Sequence, residues 1–366
     1  MNDKHFNQFL GLGRRILPIL IKPLPDELLS SWIMRYSKEL GIKSYTFCCF
    51  LLKSENVWNR DIDFNASDNF ILALAEKSFL PFEKVYDCTL RSYNSNLSVD
   101  FQRRWIIPLG IYHRTRKNAG QMYCPICLRN DKVPYFRKRW RLSLSVVCPK
   151  CKVQLIDRCP NCNQPISFHR LEVGFKNSIL NKDICFCFNC HFDLRNSKPT
   201  HVNSFLLTFQ NHLYSTLELG YNNFTQYSHL YFDVLYQLCK YFNSNQKKFR
   251  EFDHELSKKS GFLFNTNTNI FDFDKMPLSD RLLILSKINW LFENWPERLI
   301  DISQKVRFYS SYLLKDYENP AYWFSKIVMD NFYVVHSLWR SSHFPSYFSS
   351  YSSFGDAVLR RKEKRN

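Results

Sequence analysis

The feature that most constrains this chain is a run of four C-x-x-C pairs. Nine of the 13 cysteines in its 366 residues lie between Cys124 and Cys190, and eight of them read CPIC, CPKC, CPNC and CFNC. Two thiolates three residues apart can turn toward one ion while nearby backbone N–H groups stabilise the sulfur charge, and two such knuckles complete a tetrahedron. Four knuckles therefore imply two ions, read as two Zn2+ per chain. Pairing in sequence order places Cys124, Cys127, Cys148 and Cys151 around the first ion and Cys159, Cys162, Cys187 and Cys190 around the second. The intervals between knuckles favour that order; an interleaved cross-brace, with Cys124 and Cys127 sharing an ion with Cys159 and Cys162, is the alternative. Cys185 and His191 are spare ligands beside the second set. A closed shell of four thiolates leaves no position for water, so the expected role is folding rather than catalysis. Iron–sulfur ligation is the minority alternative.

The cysteines sit in strongly basic surroundings. The chain carries 51 Lys and Arg against 33 Asp and Glu, a formal charge of +18. Residues 101–141 hold eleven basic residues and a single acid, Asp131. Such a field suits a polyanion. Arg103, Arg104, Arg114, Arg116, Lys117, Arg137, Lys138, Arg139 and Arg141 are accordingly expected to contact nucleic acid, with Trp140 or Tyr135 packing or stacking among them. No segment approaches the ~18 uninterrupted apolar residues of a membrane span. The short run Ile16–Ile21 contains Pro18, which argues against a signal-peptide core. A cytoplasmic location with reduced thiols is the expectation, and it favours metal ligation over disulfides.

Only 9 residues are glycine while aromatics reach 17%, a composition that disfavours a Gly-rich nucleotide-binding fold and favours a mainly α one. We read a helix-turn-helix-like N-terminal domain over residues 1–98, a basic tandem zinc-finger region over 99–197 and a C-terminal helical domain over 198–366. In KPLPDELLSSWIMRYSKELG, Pro25 and Asp26 punctuate a helix start and Gly41 its end, with Leu28, Leu29, Trp32, Ile33, Tyr36 and Leu40 at helical spacing. Ser44 is expected to cap a second helix with Phe47, Phe50 and Leu51 inward. Ser67 caps the first and Pro81 begins the second helix of a pair separated by a short turn, with Ala75 and Val85 at its crossing. A plain helical hairpin is as good a reading of that pair as a base-reading element. Beyond residue 200, three amphipathic segments follow, the last with Ser279 as its cap and Leu282, Leu285, Ile288 and Phe292 at helical spacing. The terminal LRRKEKRN reads as a solvated end. No phosphate-binding loop, H-E-x-x-H or G-x-S-x-G motif is present.

The opening PLPDELLSSWIMRYSKELG, the helical pair ending in YDCTL, and the run YCPICLRNDKVPYFRKRWRLSLSVVCPKCKVQLIDRCPNCNQPI together resemble the TniQ family, which includes TnsD. The likeness spans about residues 18–194. It implies zinc ligation by the eight cysteines already named. One departure is CPKC where the family often has CPxH, so Cys151 stands in place of a histidine ligand. The resemblance further implies a non-enzymatic target-selection protein of a transposon. Such a protein links target DNA, or a guide-RNA Cascade complex on which it often sits as a homodimer, to an AAA+ ATPase that recruits the transposase. A free-standing zinc-containing helix-turn-helix regulator is the competing function class.

Overall fold

A computed structural model describes residues 16–52, 57–98, 103–113, 115–172, 183–264, 272–314 and 320–332. Its first helix, α1 (Leu29–Glu39), starts three residues later than the Pro25–Asp26 punctuation suggests. The acids ahead of it are used differently. Asp26 adopts a left-handed φ of 58° in the turn, and the buried Glu27 accepts from Leu24 N at 2.9 Å and pairs with Arg35 at 2.7 Å. Glu27 thus fastens the PLPDE turn to the helix that follows. Leu28, Leu29, Trp32, Ile33 and Tyr36 are all fully buried, as their spacing predicts.

Next come α2 (Ser44–Leu52), α3 (Ile62–Asn65), α4 (Asp68–Ser78), α5 (Phe82–Tyr86) and α6 (Asn94–Leu97). Ser44 is the first residue of α2 rather than a residue preceding it; Phe47 is buried, and the side chains of Phe50 and Leu51 fall outside the described residues. Ser67 does cap α4, accepting from Phe70 N at 3.2 Å. Phe79 closes α4 in the left-handed conformation where a glycine is usual. It stays 72% exposed. Ala75 and Val85, on the two helices of the α4–α5 hairpin, are both buried. The pair is thus a helix, a tight turn and a helix, but α5 has only 5 residues. At that length it is about 7.5 Å long, short for an element that must lie along a DNA groove.

The cysteine-rich segment contributes two two-stranded sheets, β1 (Ile111–Tyr112) with β2 (Thr115–Arg116) and β3 (Val147–Cys148) with β4 (Val153–Gln154), and one helix, α7 (Pro125–Asn130). The C-terminal segment is helical: α8 (Ser204–Leu219), α9 (Ser228–Phe242), α10 (Lys247–Ser260), α11 (Leu278–Glu293), α12 (Glu297–Lys305), α13 (Ser310–Leu314) and α14 (Tyr322–Asn331). Asn203 caps α8 through Leu206 N at 3.1 Å and Gly220 ends it at φ 80°. Ser279 is no cap. It lies inside α11, where its hydroxyl turns to Asp280, and the fully buried face is Ile284, Leu285, Ile288 and Leu291, with Leu282 and Phe292 only half-buried. The terminal LRRKEKRN lies outside the described residues.

One hydrophobic core runs through all three segments, from Leu17 to Phe332. Polar ties cross the same junctions. Leu28 N donates to Phe136 O at 2.9 Å, and Gln210 Oε1 of α8 accepts from Val146 N at 3.0 Å. Asp274 is buried between the cysteine-rich and C-terminal segments, where it accepts from Trp105 N at 3.1 Å, from Tyr236 Oη at 2.9 Å and from Ser143 Oγ. Burial pushes its carboxyl up to about 7. The cysteine-rich segment is therefore the hub on which both helical segments are built.

Candidate metal centres and the basic strip

Three of the four knuckles share one backbone solution. Cys148–Cys151, Cys159–Cys162 and Cys187–Cys190 each turn tightly, and the residue after the second cysteine (Lys152, Asn163, His191) takes a left-handed φ of 57°, 57° and 58°. Its N–H returns to the carbonyl of the first cysteine at 2.8, 2.9 and 3.0 Å respectively. Short antiparallel pairings flank each turn: Cys148↔Val153, Arg158↔Pro165 and Phe186↔Asp193. The fourth knuckle opens α7 instead. Cys124 is its N-cap, accepting from Cys127 N at 3.4 Å, with Pro125 in the first turn.

These turns collect the sulfurs of Cys124, Cys127, Cys148 and Cys151 into one group and those of Cys159, Cys162, Cys187 and Cys190 into another, all ligand atoms of a group within 4.8 Å of one another. Sequence-order pairing is what the structure brings together, not the cross-brace. The sulfurs of Cys127 and Cys148 lie 3.6 Å apart, Cys127 and Cys151 3.4 Å, Cys159 and Cys190 3.6 Å, and Cys162 and Cys187 3.6 Å. A tetrahedron with Zn–S bonds of ~2.3 Å has edges of about 3.8 Å, whereas a disulfide needs about 2.05 Å. The spacing fits a shared ion and excludes cross-links. Crowded sulfurs cannot all ionise without a cation: hydrogen bonds from Cys124 and Cys127 bring Cys148 down to about 4, while the hydrogen bond from Cys124 lowers Cys127 but the one shared with Cys148, together with burial, leaves it raised. A divalent ion resolves that competition by holding four thiolates together. The first group is nearly sealed; in the second, Cys162 and Cys190 are half-exposed.

The spare ligands stand apart. Cys185 is fully buried, its thiol pushed up to about 12 by desolvation, and its carbonyl accepts from Leu194 N at 2.9 Å. His191 is exposed and serves its knuckle through its backbone. Neither belongs to a four-sulfur group.

The later residues of the basic strip turn inward. Arg141 is fully buried between Asp61 at 2.7 Å and Asp63 at 3.3 Å. Ser30 N and Oγ hold Asp63 at 2.8 Å each, yet burial still pushes its carboxyl up to about 6. Lys138 is 9% exposed, its ammonium on Ser92 Oγ at 2.7 Å and over the Tyr93 ring. Arg137 grips both oxygens of Asp131 at 2.8 and 3.0 Å and stacks on Tyr135 and Trp140. Arg139 pairs with Asp26 at 2.7 Å and Glu218 at 3.2 Å. Phe136 and Trp140 pull this segment into the core; Arg139 and Arg141 neutralise acids of other segments, while Arg137 is held by Asp131 within the strip and Lys138 by the Ser92 hydroxyl.

The earlier part of the strip is more open. Arg104 pairs with Asp233 at 3.0 Å, and Arg116 donates to Trp58 O at 3.2 Å with burial bringing it down to about 10. Arg103 and Lys117 are exposed, the first on Asn65 Oδ1 at 2.6 Å and the second over the Tyr112 ring. Arg114 lies outside the described residues. The acids that claim the strip, Asp26, Asp61 and Asp63, escape a local reading because they lie far upstream in sequence.

Fold and site together define a mainly helical protein organised around two closed four-cysteine metal centres, suited to two zinc ions. Its residues 18–155 match the family model TniQ, so the chain carries a TniQ domain that takes in the N-terminal helices and the first four-cysteine group. The second group lies beyond the matched residues. The domain implies a transposon-associated role in target selection. No curated protein matches the chain. No described helix is long and apolar enough to cross a membrane.

Proposed function

We propose that this chain is a non-enzymatic target-selection adaptor, joining target DNA or an RNA-guided Cascade complex to an AAA+ ATPase that regulates the transposase. The observation that carries the reading is the TniQ match over residues 18–155. Two further features support it. The metal groups offer four sulfurs each and so leave no open coordination position for an activated water. The five-residue α5, whose Val85 is spent on the hairpin core, weakens the competing helix-turn-helix regulator.

An adaptor has no turnover of its own. Purified chain incubated with plasmid DNA, Mg2+ and ATP is expected to leave the DNA intact and the ATP unhydrolysed, in agarose gels and in a phosphate-release assay. Strand cleavage or ATP hydrolysis that persists through purification to homogeneity would overturn the proposal.

A further inference from the structure

With much of the 137–141 segment turned inward, the excess positive charge must emerge elsewhere. It does so at an open cleft of about 550 Å3 between the start of α10 and the end of α12. Lys247, Lys248, Arg250, Lys305 and Arg307 line it together with His254, against the acids Glu251 and Glu255. Lys248 holds Glu251 at 2.8 Å and also donates to Val306 O at 2.8 Å, which ties the two helices together and removes one of the acids. His254 lies 3.8 Å from Glu255. Lys247, Lys305 and Arg307 are exposed and make no ion pair among the described residues.

Two details go beyond an ordinary solvated basic face. Arg250 packs its guanidinium 4.1 Å from the Phe264 ring centroid, and its Nη1 is buried without a hydrogen-bond partner. An orphaned, buried guanidinium N–H is costly unless an acceptor arrives. In addition, α10 opens with Lys247, Lys248 and Arg250, has no side-chain cap and has no acid in its first turn. Three cations at the positive end of a helix dipole repel it, and an anion there would relieve the conflict.

We propose that this cleft is a phosphate-contacting surface for a nucleic-acid backbone, with Lys247, Lys305 and Arg307 on its rim and Arg250 in its floor. The inference rests on the target-binding reading above and gives it a location on α10 and α12. The contact is to phosphate, so it adds affinity without reading sequence.

The test is fluorescence polarisation of a labelled DNA duplex with the full chain across a salt series. The variant carries Lys247→Gln, Lys305→Gln and Arg307→Gln; all three positions are exposed, and zinc content and a thermal melt check the fold. Losing three phosphate contacts is expected to weaken binding about tenfold or more and to flatten the log–log salt slope by about 2.7. A parallel variant with Arg103→Gln and Lys117→Gln is expected to change affinity less than the cleft variant does. Unchanged affinity and slope in the cleft variant, with the wild type binding, would overturn the surface and leave the adaptor reading standing. So would unchanged DNA binding with lost retention on the ATPase, which would make the cleft a protein-docking face. If the wild type binds no nucleic acid, the surface falls as well, and retention on the ATPase then decides the adaptor reading separately.

Discussion

Replacing Cys148 with serine, or stripping the protein with a strong chelator, is expected to unfold the middle of the molecule rather than give a folded, inactive one. Binding of one structural zinc is worth ~10 kcal/mol or more in small zinc modules, against a whole-domain stability of ~5–15 kcal/mol. Cys148 ends β3, and its neighbours anchor α8: Val147 N donates to Gln210 Oε1 at 3.2 Å and Tyr214 Oη to Ser145 Oγ at 2.9 Å. Losing the first ion should therefore loosen the C-terminal segment as well. Metal analysis should find two zinc ions per wild-type chain and fewer in Cys148→Ser, with near-UV circular dichroism collapsing in parallel. Cys49→Ser, at a half-buried thiol in neither four-sulfur group, should change stability by about 1 kcal/mol or less. A Cys148→Ser protein that keeps two ions and its near-UV spectrum would remove the metal centres from the folding account.

The second large effect is expected at Arg141. Arg141→Met should cost ~3–5 kcal/mol, because it leaves the buried carboxylates of Asp61 and Asp63 facing each other without their cation. The pH dependence has a definite sign. In the wild type, burial already raises Asp63 to about 6, above its unfolded value. Its contribution is most favourable below the unfolded pKa and is lost as pH rises through the folded one. Removing the opposing guanidinium raises that carboxyl further, so the deficit of Arg141→Met against wild type should be larger at pH 8 than at pH 6. Urea melts at both pH values measure it. Adding Asp61→Asn and Asp63→Asn should recover part of the loss, since the uncompensated charges go. A fully stable Arg141→Met whose only defect is weaker DNA binding would instead restore Arg141 to a phosphate-contacting role.

These two sites show what could be read from sequence and what could not. The cysteine groups were legible because metal ligation imposes spacing within each knuckle, and the closing turn is local: Lys152, Asn163 and His191 all follow the second cysteine of a pair. Helix ends marked by their own residues were legible too, at Ser67 and at Gly41, which takes a φ of 67° just past α1. The ion-pair partners of the basic strip were not legible because charge was counted in a window, whereas the partner of Arg141 lies 80 residues away and that of Arg139 lies 113 away. An eleven-to-one local imbalance says nothing about acids that the fold delivers from another segment. Ser279 does not cap α11 because Pro277 already takes the N-cap position, so the serine falls inside the helix. The cleft on α10 and α12 was invisible because its cations come from two helices that meet only in the folded chain.

Whether this chain holds two partners together is decided by co-retention. The cognate ATPase is immobilised, and labelled target DNA or Cascade complex is passed over it with and without the full chain. An adaptor works by raising the local concentration of one partner at the other. Target is expected to be retained only when the chain is present, and the chain alone to bind each partner separately. Equal retention of target without the chain, or a chain held by neither partner, would contradict the adaptor reading.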